Sequence, residues 1–133
     1  DMSICVLHKK ENIMTFAGAK NPLVYMQDGQ LYRIKGDKVA VGGRQREVKR
    51  TFTKHTIPIV KSTTCYLFTD GYQDQTGGPE GRKFMTKKFR EFLHEIHFYP
   101  MQEQQKQLEE KLQNWMGDKK QVDDILLIGF STT

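Results

Sequence analysis

Short apolar runs fill the first half of the chain, and the hydrophobic period lengthens from two to about 3.6 beyond residue 84. Residues 3–7 and 12–17 read as two strands joined by the polar turn His8-Lys-Lys-Glu11, with Gly18 expected to break the second. Residues 23–27 and 30–35 flank Asp28-Gly29, the strongest hairpin signal present. Residues 36–53 show little periodicity and read as a loop, followed by strands at 54–60 and 62–69. Pro58 removes a backbone donor, so the first of that pair is expected at an edge or a bulge. Gly77-Gly-Pro-Glu-Gly81 reads as a loop.

From there Phe84, Phe89, Phe92, Leu93 and Ile96 recur at helical spacing and predict a helix over 86–97. Pro100 suits the first turn of a second helix that ends at Met116, with Gly117 as its cap. Its apolar stripe, Met101, Leu108, Leu112 and Trp115, reads as core packing, and its many Gln and Glu residues as a solvated face. A last strand is expected to run from Asp123 through the apolar stretch 125–130. Strands, two helices and one strand make an α+β class with antiparallel pairing.

Composition narrows the choice only slightly. A chain of 133 residues is one domain of modal size, and it holds no apolar run long enough to span a bilayer. Its start at Asp1, in mid-pattern and without a secretory leader, reads as a fragment of a longer protein. Cys5 and Cys65 fall in strand-like runs and are expected as buried thiols, which fits a reducing compartment. The net charge of +5 concentrates in residues 42–54, a stretch with no interleaved aromatics for stacking bases. A solvated loop or a docking surface for an acidic protein explains it better than nucleic-acid binding, which is not expected.

The chemistry gathers elsewhere. The run Thr64-Cys-Tyr-Leu-Phe-Thr is apolar enough for a buried strand, and it stops at Asp70-Gly71. Such a strand delivers a carboxylate to the rim of a sheet, and Gly71 admits close approach and a positive φ. An Asp-Gly pair is equally the mark of an ordinary turn. Asp74 lies four residues beyond Asp70, and a second acidic pair, Asp123-Asp124, opens the final apolar run. Carboxylates at the ends of two strands are what Mg²⁺ or Mn²⁺ requires, since hard cations take oxygen ligands and keep much of their water. Read alone, Asp123 could as well cap a turn and Asp124 pair with a surface lysine. His94 and His97 share a helix face without a nearby acid to complete a site, and no Ser-His-Asp or Cys-His arrangement is present.

Leu67-Phe-Thr-Asp-Gly-Tyr-Gln-Asp-Gln75, Gly77-Gly-Pro-Glu-Gly81 and Gln121-Val-Asp-Asp-Ile125 together resemble the carboxy-terminal part of the SpoIIE/RsbU-type serine phosphatases, in the metal-dependent (PPM) protein phosphatase superfamily. Thr15-Phe-Ala-Gly-Ala-Lys-Asn-Pro-Leu23 and Gly36-Asp-Lys-Val-Ala-Val-Gly42 support the resemblance, with Ala40 where relatives often have proline. It implies the latter half of an α/β/β/α sandwich, with the upstream metal-binding half absent from residues 1–133. It further implies two Mn²⁺ or Mg²⁺ ions in the complete domain and attack of a metal-bridging water on phosphoserine or phosphothreonine. By position Asp70 and Asp123 match metal ligands, Asp124 is the alternative to Asp123, Asp74 would assist an accessory ion, and Gly71 shapes the turn. No protein side chain is expected to act as a nucleophile.

The substrate implied is a phosphorylated regulatory protein, such as an anti-sigma-factor antagonist, in bacterial signal transduction. A cytoplasmic location is implied, with membrane attachment only through upstream domains and no membrane contact by this segment. The chain alone is expected to bind Mn²⁺ weakly, to be nearly inactive, and to self-associate through exposed sheet surface. The competing reading is a non-catalytic interaction module with a degenerate phosphatase fold.

Overall fold

The computed structural model describes residues 1–44, 49–59 and 61–132. Part of the basic stretch at 42–54 therefore lies outside the described residues. The elements in order are β1 (Met2–His8), β2 (Ile13–Ala19), β3 (Leu23–Gln27), β4 (Gln30–Ile34), β5 (His55–Pro58), β6 (Thr63–Phe68), α1 (Gly71–Asp74), β7 (Thr76–Gly77), β8 (Arg82–Lys83), α2 (Thr86–Ile96), α3 (Met101–Met116) and β9 (Leu127–Thr132). They form antiparallel sheets of order β1-β2-β5, β4-β3-β6-β9 and β7-β8. The fold is mixed α+β, with two long helices before the last strand, as the periodicity predicts.

The chain divides into two compact units, residues 1–67 with 131–133, and residues 68–130. In the first, β2 alternates as a half-buried strand should, with Met14 and Phe16 fully inside. Leu23, Val24 and Met26 of β3 and Cys65 and Tyr66 of β6 are buried as well. The Cys65 thiol reaches the Met14 sulfur at 3.8 Å, so the core is a contact between two sheets. Asp28 and Gly29 both adopt positive φ (50° and 74°), the geometry that lets a two-residue hairpin follow the strand twist. β5 lies at a sheet edge, where Pro58 does no harm. Gly18 does not break β2; it lies inside the strand, where a Cβ would stand 2.3 Å from the Asn21 carbonyl oxygen. The outer face of β1 exposes Met2, Ile4 and Val6 at 45–47 %.

The second unit packs α2 by its predicted stripe, with Phe89, Leu93 and Ile96 buried. The Phe89 ring meets Phe68 edge-on at 4.9 Å and stacks on Tyr72 at 4.6 Å. The loop expected at 77–81 is the turn of a short hairpin, β7-β8, whose glycines press on α3. A Cβ at Gly77 would lie 1.9 Å from the Trp115 carbonyl oxygen, and one at Gly78 would lie 2.7 Å from the Trp115 ring. On α3 the stripe is narrower than its sequence suggests: Leu108 is buried, and so is Gln104. The Gln104 amide donates to the carbonyls of His97 and Tyr99, which close the turn between the helices without helical partners. β9 begins at Leu127 rather than Asp123, because residues 121–126 are held by side-chain bonds described below.

Candidate metal centre

Asp70 follows the end of β6 and is the residue at which α1 begins. Its carboxylate makes no capping bond, and its carbonyl accepts from the Asp74 amide at 3.0 Å. The first turn of α1 thus places Asp70 and Asp74 four residues apart on one side of a helix. Both Asp70 and Gly71 stand beside the segment that carries the second acidic pair. Thr69 Oγ1 donates to the Asp124 carbonyl (2.9 Å) and accepts from the Leu126 amide (3.0 Å), and the Thr69 amide donates to the Leu126 carbonyl (3.0 Å). These three bonds clasp positions 55 and 57 apart in sequence at the acidic end of the two strands.

Gly71 has a different reason for being glycine than the sequence suggests. Its φ is not positive; instead a Cβ would sit 2.2 Å from the Asp124 carbonyl oxygen and 2.8 Å from the Asp124 carbonyl carbon. The absent side chain is what lets the two acidic segments touch through their backbones.

Asp123 and Asp124 are exposed. Asp123 Oδ1 accepts from the Asp124 amide at 2.7 Å, which fixes that carboxylate and leaves its other oxygen free of this bond. Asp74 is engaged otherwise: Lys83 Nζ on β8 lies 3.5 Å from its Oδ1, a partly exposed pair of small energetic weight. Beside these acids Tyr72 is buried, its hydroxyl donating to the Leu108 carbonyl at 2.8 Å, and burial pushes its pKa up. Gln73 Oε1 is buried and accepts no hydrogen bond from the described residues.

A divalent cation fits this donor set in part. The carboxylates are hard oxygen donors at a rigid rim, and Asp70 is committed to no cap. Among the described residues, however, no three His, Cys, Asp or Glu residues are grouped closely enough to hold a metal ion. His94 and His97, set aside on sequence grounds, stack on each other at 5.3 Å away from any such set. Sequence reasoning missed Thr69, Gln75 and Lys83. A threonine directly before a strand-terminal acid is a signal for such a clasp, whereas nothing in the local pattern announces the other two.

A family model described as Stage II sporulation protein E (SpoIIE) matches residues 1–133. The chain belongs to the SpoIIE family. Its fold is close to that of the SiaA-PP2C domain of Pseudomonas aeruginosa, with a TM-score of 0.89 at 28% identity, covering 98% of this chain and 51% of that one. The phosphatase domain of the cell fate determinant SpoIIE from Bacillus subtilis matches with a TM-score of 0.67 at 10% identity, over 97% of this chain and 56% of that one, and shows the fold alone. The SpoIIE-family chain thus spans about half the length of the solved domains it matches. No curated protein matches it significantly. Among the described residues no helix is long and apolar enough to cross a membrane.

Proposed function

We propose that this chain is the carboxy-terminal part of a metal-dependent protein serine/threonine phosphatase domain, and that Asp70 and Asp123 are its contribution to the metal centre. The observation that carries this reading is the clasp at Thr69 and Gly71, which brings the Asp-Gly turn against the Asp123-Asp124 segment. Family membership and the likeness to a PP2C domain support the reaction class. Asp124 is the alternative to Asp123, and Asp74 assists an accessory ion. Bound Mn²⁺ or Mg²⁺ supplies Lewis-acid chemistry, a lowered pKa of coordinated water and neutralisation of phosphoryl charge.

This chain's own work is to hold carboxylates at fixed positions. Asp70 stands at the start of α1, the Asp124 amide orients Asp123, and the glycine keeps the two segments in contact. With no group of three ligands among the described residues, the 133-residue chain alone binds Mn²⁺ weakly and turns over little substrate. The substrate is a phosphorylated regulatory protein, of the kind an anti-sigma-factor antagonist represents, acted on in the cytoplasm. The exposed apolar face of β1 supports self-association of the chain.

The test is Mn²⁺-dependent hydrolysis of a phosphoserine peptide by this chain and by a longer chain spanning a whole domain of the matched type. The longer chain is expected to be active, and Asp70→Asn to abolish that activity while leaving thermal stability within about 0.5 kcal/mol, since the carboxylate makes no cap bond. Absence of both turnover and Mn²⁺ binding in the longer chain would overturn the enzyme reading in favour of an interaction module.

A further inference from the structure

Gln75 is the most heavily bonded buried polar residue near the acids. It has no solvent exposure. Its amide nitrogen Nε2 donates to the Lys120 carbonyl at 2.9 Å and to the Thr76 carbonyl at 3.0 Å. Its Oε1 accepts from the Val122 amide at 3.3 Å. Its own carbonyl takes Trp115 Nε1 and the Phe84 amide, both at 2.9 Å, and its amide donates to the Tyr72 carbonyl at 3.3 Å. One side chain therefore holds both ends of the three-residue stretch that leads into Asp123, while its backbone closes the helix that carries Asp70 and Asp74.

We propose that Gln75 is a positioning residue for the metal centre: it sets the placement of Asp123 and Asp124 relative to Asp70. The proposal rests on the reading of Asp70 and Asp123 as metal carboxylates. Backbone amides and carbonyls in the 120–122 stretch have no ladder to join, since β9 starts only at Leu127. A buried carboxamide with one donor group and one acceptor on a short stem fits such a stretch, because it satisfies a carbonyl and an amide two residues apart at once. An apolar residue of the same size would fill the space and leave Lys120 O, Thr76 O and Val122 N without partners. The acidic pair would then be tethered on one side only, by the Thr69 clasp. Groups that orient metal ligands typically govern metal affinity by about 10–100-fold, and Gln75 acts on Asp123 through the backbone of residues 120–122.

The experiment compares the metal-free chain, wild type, Gln75→Met and Gln75→Glu, by amide hydrogen exchange, and then measures Mn²⁺ affinity of the longer, whole-domain chain carrying the same substitutions. Methionine conserves volume and removes every side-chain bond while the backbone bonds remain; glutamate keeps an acceptor for Val122 but cannot donate to Lys120. In Gln75→Met, protection is expected to fall at Val122, Asp124 and Leu126 together, with the Phe89 amide of α2 unchanged, and Mn²⁺ affinity to drop about tenfold or more. Gln75→Glu should lie between, and it carries the test if the methionine variant does not fold. Loss of protection confined to Val122, with Asp124 and Leu126 unaffected, would overturn the proposal, because Gln75 would then serve only its own neighbours. If exchange responds as expected while the wild-type longer chain binds no Mn²⁺, the metal reading falls and Gln75 stands as the organiser of the 120–126 segment.

Discussion

Replacing Gly71 by alanine probes the contact between the two acidic segments directly. The added methyl carbon would stand 2.2 Å from the Asp124 carbonyl oxygen, 2.8 Å from its carbon and 2.9 Å from Ile125 Cγ1, whereas ordinary contact begins at 3.4 Å. The two nearest atoms are backbone, so no rotamer change relieves them, and the segments must part by about 1 Å. That displacement carries the two Thr69 Oγ1 bonds, at 2.9 and 3.0 Å, beyond useful length.

Losing two bonds of ~0.5–1.5 kcal/mol each gives a cost of about 1–3 kcal/mol. Enduring the overlap instead gives a similar range. Alanine's better helix propensity at the start of α1 returns at most about 1 kcal/mol. Over 133 residues, at an unfolding entropy of ~2.1 cal/mol/K per residue, each kcal/mol moves the midpoint by roughly 3–4 °C. Thermal denaturation followed by circular dichroism should therefore place Gly71→Ala below wild type, by up to about 10 °C. Gly42→Ala is the control: nothing lies within 4 Å of its Cβ and its φ is not positive, so its midpoint should not move beyond an equivalent of about 0.5 kcal/mol. Equal midpoints for the two variants would refute the contact between the acidic segments.

Tyr72→Phe removes the buried bond to the Leu108 carbonyl while keeping the stack on Phe89, and should cost about 1 kcal/mol in a urea titration; an unchanged midpoint would mean that bond is not made. Burial holds the Cys5 and Cys65 thiols protonated, pushed up to about 11 and about 12 from 9.0. The folded state then keeps protons that the unfolded state gives up, so the thiols' contribution to stability is level below pH 9 and falls between there and about pH 12. Urea midpoints at pH 8 and pH 10.5 should differ less in Cys65→Ala than in wild type, and equal differences would rule out the buried thiol as the cause. Asp37 is held below the usual carboxylate range, first by the Thr53 amide at 2.7 Å and then by the Thr53 hydroxyl. Its stabilising contribution is complete above the ordinary carboxylate pKa and is lost as pH falls through the lower folded value. A carboxyl titration by NMR should show that low midpoint rising in Thr53→Val, and no rise would assign the shift to the amide alone.

What the sequence disclosed follows the range of the forces involved. Asp28-Gly29, Pro58 and the α2 stripe are local signals, and strands, edge and helix lie where those signals put them. Gly18 and Gly71 misled because a lone glycine announces freedom at its own position, and here each serves a neighbour distant in the chain or past a turn. Gln104 falls among residues read as a solvated face, and nothing in the pattern marks Gln75; both are buried because carbonyls and amides outside regular structure need partners, a demand that pattern alone does not register. The strand exit at Asp70 could be read from residues 64–71, but its adjacency to Asp124 depends on a pairing across 55 positions.

The hairpin glycines leave a different mark, on which second mutations could repair a first. At Gly77 the obstacle is the carbonyl of residue 115, an atom every amino acid carries, so no replacement of Trp115 makes room for a side chain there. At Gly78 the obstacle is the indole ring, and a smaller residue at 115 would remove that overlap, leaving only the cost of the positive φ. A suppressor screen starting from alanine at these two positions should return position 115 for Gly78 and never for Gly77. Neighbouring glycines against one tryptophan are thus held by constraints of different kinds: one can be negotiated between side chains, and the other is written into the main chain.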